Sequence, residues 1–238
     1  MDNAIYTNLT RLDGLKAELQ VIANNIANIS TAGFKREGVI FSEFIVATED
    51  RDHSLSMADA EIRRTDFSQG PLTQTGSEFD FAIDGEGYFP VEYNGGQAMT
   101  RAGNFAQNSN GELVTENGHR VLDAGGAAIA IPPDARTLTL SRDGTLSADG
   151  QFISTITPVV PAPGDVPTRV GGTMFTTQQP TVPVENPVIL QGFKEDSNVE
   201  AVLELARMIE VHRAYEQGAN LNKSEDERIR NVLRTLGA

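Results

Sequence analysis

The stretch IYTNLTRLDGLKAELQVIANNIANI, from Ile5 to Ile29, decides the fold. With Ile5 as the first position of a heptad, Ile5, Leu12, Leu19 and Ile26 recur every seven residues, and Asn8, Leu15, Ile22 and Ile29 interleave with them. Seven of these eight positions are apolar, which is the narrow seam of a helix that pairs with another helix. A helix lying on its own domain presents a broader apolar face, so a partner on a neighbouring chain is expected. Asp2 is placed to cap the start, and Leu9 widens the stripe. Gly14 costs roughly 1 kcal/mol relative to alanine. The helix is predicted over 2–29, stopping near Ser30-Thr31-Ala32-Gly33, where glycine can adopt the left-handed conformation.

The other end of the chain carries a second helical pattern. Over 198–236 a seam is read through Leu205, Met208, His212, Tyr215, Ala219, Asn222, Asp226, Ile229, Leu233 and Leu236. Val202, Ala206 and Ile209 form a stripe beside it, so this helix is expected to touch more than one neighbour. Ser197 with Glu200 reads as a capping box. Gly218 and a second such pair, Ser224 with Glu227, mark a place where the helix can break.

Between the two ends the period changes. Short apolar runs such as Phe81-Ala82-Ile83, Leu113-Val114 and Leu138-Thr139-Leu140 are separated by Asn94-Gly95, Asn110-Gly111, Asp143-Gly144 and Asp149-Gly150. Asn-Gly and Asp-Gly accept the positive φ angles that tight hairpins need. The fold class is therefore α+β: long terminal helices forming a coiled-coil-like pair around a central all-β domain of short strands and hairpins. The expected divisions are an N-terminal helix over 1–36, a connector over 37–62, a β-rich domain over 63–157, a Pro/Gly-rich segment and return over 158–194, and a C-terminal helix over 195–238. The prolines between Pro158 and Pro187 suit a surface excursion or linker.

Composition narrows the function. A formal charge of −14 repels phosphate backbones and anionic lipid, which argues against nucleic-acid partners. There is no cysteine, hence no disulfide, thiolate metal site or cysteine nucleophile. No run approaches the length of a membrane span, so no membrane insertion is expected, and Met1-Asp2-Asn3-Ala4-Ile5-Tyr6 lacks the basic start and apolar run of a secretory signal. The three histidines, His53, His119 and His212, have no neighbours at metal-ligand spacing. Gly85-Glu86-Gly87 lacks the third glycine of a dinucleotide loop, the position holding Pro90. Asp80, Asp84 and Glu86 alternate as acids lining a cleft would, but a glycan groove also needs aromatic platforms and the chain has no tryptophan. No catalytic residue, cofactor or metal is expected. A structural assembly subunit is favoured, the rivals being a secreted β-rich binding or adhesin module and a glycan hydrolase.

A resemblance sharpens this reading. The run Ala23-Asn24-Asn25-Ile26-Ala27-Asn28-Ile29-Ser30-Thr31-Ala32-Gly33-Phe34-Lys35-Arg36 resembles the N-terminal signature of the flagellar rod, hook and filament-junction axial proteins. Phe79-Asp80-Phe81-Ala82-Ile83-Asp84-Gly85, Thr100-Arg101-Ala102-Gly103-Asn104-Phe105 and Gly192-Phe193-Lys194-Glu195-Asp196-Ser197 continue it through the centre and into the final helix. The resemblance implies a basal-body rod subunit, exported without cleavage by the flagellar export apparatus and polymerised in a rod that crosses the periplasm. Its partners would be copies of itself and other proximal and distal rod proteins. The assembly interface is expected at Ile5, Leu12, Leu15, Leu19, Ile22, Ile26 and Ile29 with Asn24, Asn25 and Asn28, and at Val202, Leu205, Met208, Ile209, His212, Tyr215, Ile229, Leu233 and Leu236. The three asparagines either set the register of packed helices or stand solvated at a fraying helix end.

Overall fold

The computed structural model describes residues 2–47 and 54–236, with side chains described for 7–40, 64–232 and 234–236. The chain forms two compact units. The first holds residues 1–28, 36–67 and 199–238, and the second holds 29–35 and 68–198.

In the first unit, helix α1 (Asp2–Ala27) is followed by strands β1 (Glu37–Ala47) and β2 (Ser54–Thr65), and the chain returns as helix α2 (Ala201–Leu236). Strands β1 and β2 pair antiparallel from Glu37 opposite Thr65 to Ala47 opposite Ser54. The stretch expected to be a connector is thus largely hairpin. The register slips between Ile40 and Ser42, where one strand carries an extra residue, so no single two-residue alternation runs through the pair. Helix α1 packs on both the hairpin and α2. Helix α2 is continuous across Gly218, contrary to the break that its glycine and the Ser224 pair suggested. Ser224 Oγ donates to Leu221 O inside the helix rather than capping a new one. At the other end α2 starts at Ala201, so Ser197 lies outside its first turn.

The second unit contains β3 (Leu72–Gln74), β4 (Phe81–Ile83), β5 (Phe89–Tyr93), β6 (Gly96–Thr100), β7 (Phe105–Gln107), β8 (Leu113–Thr115), β9 (Leu138–Leu140) and β10 (Thr145–Ala148). It continues with β11 (Gln151–Thr155), β12 (Val159–Val160), β13 (Thr168–Gly171), β14 (Met174–Thr176), β15 (Val182–Pro183), β16 (Ile189–Gln191) and β17 (Phe193–Glu195). One sheet runs β13-β14-β6-β5, another β11-β10-β9, and the remaining strands form two-stranded ladders. Asn94 and Gly95 both have positive φ in the β5–β6 turn, as do Asp149 and Gly150 between β10 and β11. These are the mirror-image turns that match strand twist.

Around the sheets, Phe81, Phe89, Leu113, Leu146, Ile156 and Ile189 are fully buried in one core, and the Phe89 ring meets Phe105 edge-on at 5.2 Å. The segment expected as a linker over 158–187 belongs to this unit. Strand β14 extends the central sheet through Met174–Thr100 and Phe175–Met99, and Phe175 is fully buried. Its prolines fit because they fall at sheet margins, such as Pro183 in two-residue β15, where no ladder donor is lost.

Candidate assembly surface

The contact between α1 and α2 is antiparallel. Asn25 Nδ2 reaches Glu204 Oε2 at 3.3 Å, Arg207 bonds Glu18 Oε1 through Nη2 at 2.7 Å, and Asn8 Nδ2 donates to Gly218 O at 2.9 Å and Asn222 Oδ1 at 2.7 Å. Gly218 lets α1 pack closely on α2: a Cβ there would lie 2.8 Å from Leu12 Cδ2. The inner face of α2 therefore repeats Glu204, Val211 and Gly218, all buried, with Met208, Tyr215 and Asn222 half-buried beside them.

The residues expected to face neighbouring chains divide along this geometry. Leu12, at 8% exposure, and Ile22, at 2%, are covered inside their own unit, which corrects the expectation that the whole α1 seam awaits another chain. Leu15, Leu19, Ile26, Ile29 and Asn28 are half-buried. The buried surface of α1 also includes Glu18 and Val21, off the strict seam, because a second contact with the hairpin broadens the covered face. The side chains of Ile5 and Leu233 lie outside the described residues, as does His53.

On α2 the exposure is larger. Val202, at 78%, Leu205 and Ile209 form an apolar strip on the face opposite Val211 and Gly218, and His212 is exposed beside it. Ile229, Val232 and Leu236, the last at 80%, continue the inner stripe instead. They are bare because α1 ends: Asn8 already lies opposite Gly218 and Asn222, so only a turn or two of α1 remains to cover α2 beyond that point. The predicted α2 seam mixes these two faces. A strict seven-residue walk drifts about 20° per heptad on a straight helix, so the path from Leu205 crosses from the outer strip to the inner one.

Of the three asparagines, Asn25 is fully buried. Its Nδ2 donates to Glu37 O at 2.7 Å while its Oδ1 accepts from Glu37 N at 2.9 Å, so one amide side chain pairs with the start of β1 like an extra strand residue. Asn28 Nδ2 donates to Asn24 O at 2.8 Å and satisfies a carbonyl at the helix end, and Asn24 is exposed. The packing role falls to Asn25, and the register contact between helices to Asn8, which the apolar count had treated as a flaw in the seam.

The charged residues of the signature have buried partners that sequence spacing alone could not reveal. In the first unit Arg36 Nε pairs with Glu204 Oε1 at 2.5 Å. In the second, Lys35 is fully buried and donates from Nζ to Glu195 Oε1 at 2.6 Å and Ser68 O at 2.7 Å. Arg101 holds the other oxygen, Glu195 Oε2, at 3.2 Å and also donates to Gly85 O at 2.6 Å. The Arg169 guanidinium lies over Phe34 at 4.6 Å and Phe175 at 4.8 Å. Gly33, with φ of 67°, fits against the backbone of Arg101 and Ala102, where a Cβ would sit 2.2 Å from Ala102 N. These contacts tie residues 29–35 and the return strand at Glu195 into the β unit. Burial pushes the Tyr88 phenol above its ordinary pKa, opposed by the Arg101 guanidinium 5.1 Å from its ring centre.

Among the described residues, no cluster of histidine or acidic groups could hold a metal ion. Asp84 and Glu86 are exposed, and Asp80 accepts from Thr75 Oγ1 in a turn. His119 lies against Tyr93, the ring centres 5.6 Å apart and the planes tilted by 55°. No described helix is long and apolar enough to cross a membrane.

Comparison with known proteins assigns this arrangement. Residues 5–35 match the family described as "Flagella basal body rod protein", residues 82–148 the "Flagellar hook protein FlgE/F/G D1 domain", and residues 190–235 the "Flagellar basal body rod FlgEFG protein C-terminal". Lys35, Arg101 and Glu195, the three ends of the buried ion cluster, fall one in each matched segment. The flagellar basal-body rod protein FlgF of Caulobacter vibrioides is 38% identical over 100% of this chain and 99% of its own length. FlgF of Mesorhizobium japonicum is 36% identical over 100% and 99%, and FlgG of Bacillus subtilis 30% over 98% of each. The chain belongs to the family of flagellar basal-body rod proteins and resembles FlgF along its whole length.

Proposed function

We propose that this chain is a structural subunit of the bacterial flagellar basal-body rod, assembling through its terminal helices into the axial tube that transmits torque. The observation that carries the mode of assembly is the bare apolar strip Val202, Leu205 and Ile209 on the outer face of α2, to which the uncovered end of the inner stripe adds Ile229 and Leu236. Such a strip contributes roughly 25 cal/mol per Å² once another surface covers it. In this reading α1 and α2 act as a coiled-coil-like pair whose inner contact is made within one chain, and the outer face of α2 meets copies of the chain and other rod proteins. The subunit reaches the rod, across the periplasm, through the flagellar export apparatus without a cleaved signal, and it works without a cofactor and without catalysis.

The experiment is complementation of a strain lacking the gene with Val202→Asp/Ile209→Asp. These side chains are exposed, so circular dichroism of the purified variant should match that of the parent. Motility in soft agar should be lost, and purified basal bodies should lack the subunit. Normal swimming with the variant present in basal bodies would refute this placement of the interface.

A further inference from the structure

The chain contains three Asn-Gly pairs, Asn94-Gly95, Asn110-Gly111 and Asn117-Gly118, all with exposed asparagines. Asn-Gly is the pair in which the following amide nitrogen most easily reaches the asparagine side chain, because glycine carries no Cβ to obstruct it. The structure separates the three. Gly111 N donates to Asn108 O at 3.0 Å, and Gly118 N donates to Thr115 O at 2.8 Å. Asn110 is further held, its own N–H donating to Asn108 Oδ1 at 2.9 Å. At the tip of the β5–β6 hairpin, by contrast, Tyr93 pairs with Gly96 and the two residues between them close the turn. In a two-residue turn of this kind the ladder bond is made by the residue after the glycine, so the ladder does not use the Gly95 amide.

We infer that Asn94 is the site of spontaneous deamidation in this protein, ahead of Asn110 and Asn117. The Gly95 amide nitrogen gives up its proton to solvent base and attacks Asn94 Cγ. A C–N bond forms, the side-chain amide nitrogen leaves as ammonia, and a five-membered succinimide results. Water then adds to either succinimide carbonyl. Opening one way gives an aspartyl residue at position 94, and opening the other way gives an isoaspartyl residue with one extra carbon in the backbone. No oxidant or cofactor takes part. The hairpin must open locally for the nitrogen to turn toward Cγ, and a turn at the exposed tip opens with fewer bonds broken than the bonded loops at Gly111 and Gly118.

The product matters for the unit. Asn94 has φ of 49°, a conformation that asparagine tolerates and that the mirror-image turn requires. An isoaspartyl link lengthens the loop by one backbone atom and removes that match. The affected strand, β6, carries Met99 and Thr100 into the buried centre of the four-stranded sheet.

The test is peptide mapping by mass spectrometry of the full-length chain incubated at neutral pH, native and in denaturant, with separation of aspartyl from isoaspartyl products. In denaturant the three pairs should convert at similar rates. In the native protein conversion at position 94 should exceed that at 110 and 117 by about fivefold each, the factor that one backbone hydrogen bond supplies. Conversion at 110 or 117 as fast as at 94 in the native protein would overturn the inference. So would an unmodified Asn94 after the denatured chain is half converted there. Asn94→Gln, which keeps the amide but lengthens the ring to be closed, should abolish the product at this position.

Discussion

Replacing Gly33 and Gly150 separately with alanine distinguishes two costs that a single glycine substitution confounds. Both have positive φ, 67° and 77°, so each variant suffers the left-handed penalty of about 1–2 kcal/mol. Around Gly150 nothing lies within 4 Å of a new Cβ, and the penalty should end there. At Gly33 the Cβ would fall 2.2 Å from Ala102 N and 2.4 Å from the Arg101 carbonyl carbon, which are backbone atoms and cannot rotate away. Overpacking of this kind adds about 1–3 kcal/mol, so Gly33→Ala should cost about 2–5 kcal/mol in total. The assay is urea unfolding followed by near-ultraviolet absorbance and circular dichroism, comparing midpoints at equal slope. Equal losses for the two variants, within about 0.5 kcal/mol, would refute the claim that Gly33 is there for close approach as well as for its backbone angle.

Three further outcomes follow from the same contacts. Glu195→Gln leaves Lys35 and Arg101 buried without their shared carboxylate and should destabilise the β unit by about 3–5 kcal/mol in denaturant unfolding. Tyr88→Phe tests the pH dependence. The folded pKa of Tyr88 is raised, chiefly by burial, so its contribution is fully present below the unfolded value near 10 and is lost as pH rises through the folded value. The parent should therefore lose stability at alkaline pH more steeply than the variant, as measured by thermal melts across that range. Asn8→Ala removes the two bonds to Gly218 and Asn222 and should lower the stability of the helical unit by about 1–3 kcal/mol, read by helix-specific circular dichroism, with the β unit unaffected.

The chemistry of the signature becomes intelligible through these contacts. In sequence nothing marks Lys35 or Glu195 as buried, the lysine standing between Phe34 and Arg36. Their partners are distant along the chain, and low exposure follows only when both arrive at one place. A carboxylate shared by two cations, with backbone donors and acceptors filling the rest, is costly to disrupt because removing any member strands a buried charge.

What the sequence determined by itself was whatever is local. The recurrence of apolar residues in 5–29 and 198–236 is a property of one helix, and so the helices were legible. The turns at Asn94-Gly95 and Asp149-Gly150 were legible because positive φ is a demand on two adjacent residues. Tertiary structure decided whatever requires a second element. It chose Val211 and Gly218 as the inner face of α2 and left Val202 and Ile209 bare, though both stripes are helical in period. It drew 158–187 into the central sheet through Phe175, and it paired β1 with β2 in a hairpin whose register shifts between Ile40 and Ser42. Periodicity records the geometry of one backbone. Which face is covered depends on the free energy of contact with residues far away in the chain, and no window of sequence contains both.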